Sequence, residues 1–318
     1  MPHVKEEVLL NVDKDENVPA WADIPNSVGR LRNTAVGSTG TVFIASVEDE
    51  CGTKHPVLFS AGHIFAVNKV LPSDINLADY SLEFENQPPF TLRTLAEKLH
   101  TTTVIWYGGT VLIKENNFTL QQDTSSSSLD AFVMITHDED DEPGSALNVV
   151  TSCFQLRPLP CGDNDYLQPS PGQSIIVFGY PGVGPRKQAT DLRFSMGIEV
   201  GFEEVAKSLG DHLERIKQLP RFPGECKTKC DPIQNCEYCD ISLELTKLNN
   251  PEARSQRIFY QNDTLPGNSG SPVLSSGNRS TSSMAYSVKG IHVEGAYSGK
   301  ANAAQSLEKV LPVIKSYF

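Results

Sequence analysis

Nowhere does this sequence string together enough apolar residues to cross a bilayer, which takes roughly 18 in a row. Nor does it open on a secretory leader: Met1 is followed by Pro2, His3, Val4, Lys5, Glu6 and Glu7, with no apolar stretch behind them. A membrane partner is therefore not expected, and a cytoplasmic or other intracellular location is. Positive charge is also in short supply, with 27 Lys and Arg against 39 Asp and Glu and a formal net charge of −12. Such a balance repels phosphate backbones and argues against a nucleic-acid partner. An even set of cysteines is missing too, since seven cannot all pair within one chain. The sequence shows no internal repeat, and its only low-complexity run is the four serines at 125–128. The regular alternation of strands and helices that would build a parallel sheet is not found either.

What is present suffices for a core, because 39% of residues are apolar and 21% charged. Residues 1–33 are polar and acidic, with Pro19, Trp21 and Pro25 near their end, and are expected to form an extended arm. Residues 34–318 are expected to form one elaborated domain. From Val36 onward, short β-rich runs at 40–47, 57–60, 104–114, 131–136 and 174–179 are separated by Gly, Pro, Ser and Asn, which predicts an all-β sandwich or barrel. Val205, Leu209, Leu213, Ile216 and Leu219 break that texture, recurring at steps of three or four as on one face of a helix. A second, polar helix is expected near 242–257, so the whole of 203–257 reads as a helical insertion. A C-terminal helix is expected over 306–317 from Leu307, Val310, Leu311 and Ile314, with Pro312 kinking or restricting it.

The strongest chemical signal is Gly267-Asn268-Ser269-Gly270-Ser271-Pro272, followed by Val273-Leu274. A nucleophilic serine on a tight turn needs small neighbours so that backbone N–H groups can face the carbonyl oxygen it attacks, and glycine on either side supplies them. A Gly/Ser-rich turn alone could give four of these residues; the Ser-Pro and the strand-like pair that follow favour catalysis. The hexapeptide resembles the nucleophile motif of trypsin-like peptidases, in particular bacterial glutamyl endopeptidases. That resemblance implies two six-stranded antiparallel β-barrels with an active site in the cleft between them, and a histidine and then an aspartate upstream of the serine. Ser60-Ala61-Gly62-His63, after the apolar run Val57-Leu58-Phe59, resembles the family's histidine segment. Asp130, before Ala131-Phe132-Val133-Met134-Ile135, resembles the aspartate; Asp79 in Ala78-Asp79-Tyr80 is a competitor without such a strand. The resemblance thus implies a serine endopeptidase with Ser269 as nucleophile, His63 as base, Asp130 as orienter and the Gly267 and Ser269 amides as oxyanion hole. It requires no cofactor for catalysis, and its partner is a protein or peptide substrate.

Asn268 replaces the aspartate that digestive trypsin-like enzymes pair with a newly cut N-terminus. A neutral amide cannot form that ion pair, so activity is expected without proteolytic activation. Gly290-Ile291-His292-Val293-Glu294-Gly295 resembles the strand in glutamyl endopeptidases and picornavirus cysteine proteases where a histidine, with a threonine five residues before the nucleophile, reads Glu or Gln. His292 and Thr264 hold those positions, and a glutamate preference that weakens as the imidazole deprotonates is expected. Asp263 is the opposing signal, at the place of trypsin's basic-specific carboxylate. Cys226, Cys230, Cys236 and Cys239 could hold one structural zinc or form disulfides, depending on the compartment. The reading from a different class is a catalytically silent peptide-binding or scaffold protein on the same fold.

Overall fold

The computed structural model describes residues 24–35, 37–85, 87–115, 118–123, 128–138, 142, 144–161, 167–168, 170–184, 187–188, 191–218, 237–262, 264, 267–276, 286–295 and 301–318. The first half carries β1 (Val28–Asn33), β2 (Thr39–Glu48), β3 (Lys54–Ser60), β4 (Tyr80–Phe84), β5 (Phe90–Thr91), helix α1 (Leu92–Lys98), β6 (His100–Tyr107), β7 (Thr110–Glu115), β8 (Phe118–Asp123), β9 (Ala131–His137), α2 (Ser145–Cys153) and β10 (Leu159–Pro160). The second half carries β11 (Ser174–Gly179), β12 (Gly182–Gly184), β13 (Lys187–Gln188), β14 (Arg193–Val200), α3 (Phe202–Lys217), α4 (Glu237–Leu248), α5 (Pro251–Ser255), β15 (Arg257–Gln261), β16 (Pro272–Ser276), β17 (Tyr286–Glu294), β18 (Asn302–Ser306) and α6 (Leu307–Lys315).

The all-β expectation holds, in two bodies. β11-β14-β15-β18-β17-β16 close into a six-stranded antiparallel barrel. The N-terminal body is richer than six strands: a ten-stranded sheet runs β5-β4-β1-β2-β3-β9-β6-β7-β8 along an open path, with β10 added parallel to β2. Its central strands read as almost unbroken apolar runs because both of their faces are covered. β3 and β9 each bury six of their seven residues, while α2 packs on β3 and α6 on β2. Inside the sheet, Phe65 stacks between Tyr80 and Phe132 at ring separations of 4.5 and 4.3 Å.

Three departures from the sequence expectations have local causes. The arm expected through residue 33 gives way to strand at Val28, where β1 pairs with β2 and β4; only Val28 and Leu31 in it are large and apolar, so no alternation announces it. The single run expected at 104–114 is two strands joined at Gly108-Gly109, whose φ of 60° and 81° make the left-handed two-residue turn that reverses a hairpin. The second insertion helix starts earlier than expected and breaks at Asn249-Asn250, with Pro251 opening α5, and Arg257 already belongs to β15.

The insertion helices pack on the barrel exterior. Val205, Leu209 and Ile216 of α3, with Ile241 and Leu248 of α4, bury against Val200, Phe259, Ala301 and Ala303. α3 carries Glu203 and Glu204 in its first turn and Arg215 and Lys217 in its last, the order that opposes the helix dipole. Pro312 lies inside α6, which is held by burying Leu307, Val310, Leu311 and Ile314 rather than by an unbroken hydrogen-bond ladder. Cys226, Cys230, Cys236 and Asp263 lie outside the described residues, as does the side chain of Cys239 on α4. Among the described residues no helix is long and apolar enough to cross a membrane.

Candidate active site

His63 follows β3 on a short 3-10 turn, Gly62–Phe65. A Cβ on Gly62 would lie 2.1 Å from the Trp106 carbonyl oxygen and 3.0 Å from that of Ala131, so only glycine lets the turn sit against β6 and β9. That packing brings His63 to Asp130, the residue before β9. Asp130 accepts twice: from Nδ1 of His63 at 2.8 Å and from the His63 backbone N–H at 2.9 Å. Because a carboxylate can only accept, Nδ1 carries the proton and the neutral ring keeps its lone pair on Nε2. The competitor Asp79 ends a 3-10 turn, where it accepts from the Asn76 amide at 3.1 Å.

Burial opposes the charged form of both partners, and their mutual attraction outweighs it. The His63 pKa is raised from its ordinary value, burial being overcome by the charge and hydrogen bond of Asp130, with Glu294 adding and Arg257 opposing. For Asp130 burial is likewise overcome, by His63 first and then Arg257, and its carboxyl lies below the usual range. The pair is therefore an ionised carboxylate holding a more basic than usual imidazole.

Two further residues support Asp130, and neither was anticipated from sequence. Gln305 on β18 is fully buried; its Oε1 accepts from the Asp130 backbone N–H at 3.1 Å and from the Arg257 guanidinium, and its Nε2 donates to the Gln256 carbonyl at 3.0 Å. Arg257 on β15 also donates to the Ser128 carbonyl at 3.2 Å. The only sequence hint was a glutamine amid the small residues of Ala303-Ala304-Gln305.

The Ser269 turn is clamped from both bodies. On the barrel side, Gly270 N–H donates to the His292 carbonyl at 2.7 Å and His292 N–H to the Ser271 carbonyl at 2.8 Å. On the sheet side, Thr41 of β2 donates its N–H to the Ser269 carbonyl at 2.7 Å and its hydroxyl to the Gly267 carbonyl at 3.0 Å. The same hydroxyl accepts from Tyr180 N–H at 3.1 Å, and the Thr41 carbonyl accepts from Ser60 Oγ at 2.7 Å. Gly267 and Gly270 have φ of 103° and 89°. A Cβ on Gly270 would fall 2.0 Å from the Thr41 carbonyl, so the glycine is needed for the close approach as well as for the backbone angle. Asn268 is buried, and its carbonyl accepts from Ser271 N–H at 2.8 Å.

His292, whose backbone holds the serine turn, and Thr264 are each engaged through their side chains. Nδ1 of His292 is hydrogen-bonded to the hydroxyl of Tyr260, and both side chains are buried. Burial first, and then the charge of His63, push the His292 pKa down to about 3. That direction runs against the expected pH dependence, which needs an imidazole that is charged at the lower end of the working range. Thr264 donates to Oδ1 of Asn302 at 2.7 Å, and Asn302 Nδ2 donates to the carbonyl and the side-chain oxygen of Asn262 at 2.7 and 2.9 Å.

A cleft of about 860 Å³ opens beside His63 and Asp130 and extends past Val293 and Glu294 to α4 and α5. Its size is ordinary for a ligand site. Among the described residues no cluster of three or more His, Cys, Asp or Glu side chains is arranged to hold a metal ion.

No protein-family model matches the sequence, and no curated protein does. Among solved structures, the chain is similar to an inactivated protease paralogue of the scabies mite, at 9% identity and a TM-score of 0.49, over 92% of either chain.

Proposed function

We propose that this chain is a serine endopeptidase that cleaves peptide bonds after glutamine. Ser269 Oγ attacks the carbonyl carbon of the scissile bond while His63 Nε2 takes its proton, and Asp130 keeps the imidazole in the tautomer with Nε2 free. The C–N bond then breaks as His63 returns the proton to the leaving amine. A water, deprotonated in turn by His63, hydrolyses the acyl-enzyme and restores Ser269. Charge on the tetrahedral oxygen is met by the Gly267 and Ser269 amides. Since the Asn268 carbonyl is drawn back onto Ser271, the trans peptide turns the Ser269 N–H the opposite way. Asn268 needs no new N-terminus to hold this turn, because Thr41 and His292 already do.

The glutamine preference follows from two donor–acceptor assignments. Tyr260 has no other acceptor among the described residues, so its hydroxyl donates to His292 Nδ1 and leaves Nε2 with the proton. Thr264 spends its proton on Asn302 and offers only lone pairs. One donor beside one acceptor suits a carboxamide; a carboxylate would face the Thr264 lone pairs with no compensating charge. The two sites thereby select glutamine over the glutamate that the motif resemblance puts on an equal footing.

The observation that carries the peptidase reading is the doubly bonded Asp130–His63 pair, supported by a serine turn pinned to both bodies. Digestion of a diverse peptide library by the full chain tests it. Cleavage after glutamine, lost in Ser269→Ala, is expected. Folded protein that binds peptides from the library and cuts none would favour the silent binding protein instead.

A further inference from the structure

The insertion between β14 and β15 has no part in the proposed chemistry, yet it reaches the cleft. Thr246 and Leu248 at the end of α4, Asn250 in the break and Arg254 of α5 form one wall of the same cavity that His63 and Asp130 line. Beyond His292, β17 continues through Val293 and Glu294, which line the cavity as well. An extended peptide whose glutamine is read by His292 would therefore run past these two residues toward the insertion, as in strand addition.

The charge in this cavity departs from that of the whole chain. The protein carries a formal −12, but Lys69, Arg254 and Arg257 all line this one cleft. Asp130 is committed to His63, and Glu294 lies toward the His63 end, where it raises the pKa of that imidazole. Arg254 and Lys69 stand on separate elements, the first held by its side chain and the second by its backbone. Arg254 donates to Glu203 at 2.9 Å and lies 3.7 Å over the Phe202 ring, contacts that orient the guanidinium while engaging one of its five donors. Lys69 sits on a two-residue reversal after His63, with Asn68 and Lys69 at φ of 50° and 64° and Val67 and Val70 bonded to one another at 2.9 and 3.0 Å.

We infer that the α4–α5 insertion is part of the substrate site, and that with Lys69 it selects peptides carrying an acidic side chain a few residues from the scissile bond on its acyl side. The inference rests on the peptidase reading for its definition of the acyl side, and it assigns a recognition role to the insertion. A carboxylate there would pair with a preorganised arginine on one side and a lysine on the other, in a cleft partly shielded from water by Leu248 and Phe259.

Binding rather than turnover tests it. The full chain with Ser269→Ala is titrated with fluorescent peptides that hold glutamine fixed and carry Glu, Ala or Lys at each upstream position in turn. At one position Glu should bind about fivefold or more tighter than Ala, Lys should bind weakest, and the spread should shrink as ionic strength rises. Adding Arg254→Glu should reverse the order, and Lys69→Glu should flatten it. Glu203→Gln removes the competitor and keeps Arg254, so it should preserve or sharpen the preference. Equal binding of Glu and Ala peptides at every position, or an Arg254→Glu protein with the parental order, would overturn the inference. Fluorophosphonate labelling of the parent chain and of the Arg254→Glu chain, each with Ser269 intact, reports separately on the serine site. Labelling without an acid preference sinks this inference alone, and an acid preference without labelling sinks the peptidase reading alone.

Discussion

A rise in pH from 6 to 8.5 should leave the choice between glutamine and glutamate unchanged. With its pKa pushed down by burial to about 3, His292 would have to be protonated at pH 7 against a cost of roughly 5–6 kcal/mol, four pKa units at about 1.4 kcal/mol each. A glutamate carboxylate would not recover that from a single new ion pair. Glutamine should therefore be favoured in kcat/KM by about tenfold or more, with a flat ratio across the range. Tyr260→Phe is the matching perturbation. It strips the described donor from a buried Nδ1, at a cost of about 1–3 kcal/mol, and frees the ring to hold its proton on either nitrogen. Glutamine cleavage should fall about ten- to a hundredfold, and the glutamine-to-glutamate ratio should drop with it. The assay is a pair of peptides differing only at the cleaved residue, followed at several pH values for both proteins. A ratio that climbs with pH through a midpoint near 6.5 would refute the reasoning, since it would mean that His292 titrates like an exposed imidazole.

Arg257→Gln removes a positive charge that lowers the His63 pKa, so the acid limb of kcat/KM, already above the ordinary histidine value, should move to still higher pH; a limb that stays put or moves down would contradict the electrostatic role. Thr41→Val removes the hydroxyl that bridges the Gly267 carbonyl and the Tyr180 N–H, so kcat should fall about ten- to a hundredfold with KM little changed, and Thr41→Ser should restore it. Lys289→Met leaves Glu199 uncompensated where the pair now meets at 2.6 Å with both side chains 1% exposed, a loss of about 3–5 kcal/mol that should lower Tm by roughly 10 °C; the double change with Glu199→Gln should recover most of it in a thermal melt.

The residues of the proposed site stood out in the sequence because each is announced by its neighbours in the chain. Gly62 precedes His63 for lack of room beside Trp106, Gly270 follows Ser269 for lack of room beside Thr41, Gly267 stands before it for lack of room beside Tyr180, and Asp130 precedes a strand of buried residues. The residues that hold them in place were not. Thr41 meets Gly267 across 226 positions and Gln305 meets Asp130 across 175, and no local pattern distinguishes a threonine or a glutamine in a strand that makes such a contact from one that does not. His292 shows the limit most clearly: its position suggested a part in reading substrate, but its charge depends on burial and on His63, and its hydrogen bond on Tyr260, 32 residues away. Glycine pairs and an Asn-Asn-Pro break, by contrast, carried information that a reading of apolar runs alone passes over at 104–114 and 242–257.

The most direct measurement is fluorophosphonate labelling of the full chain, without N-terminal trimming, with the modified residue located by mass spectrometry. One adduct is expected, on Ser269, formed more slowly as pH falls and lost in both Ser269→Ala and His63→Ala. An adduct on another serine, labelling that survives His63→Ala, or none until the N-terminus is trimmed would contradict it.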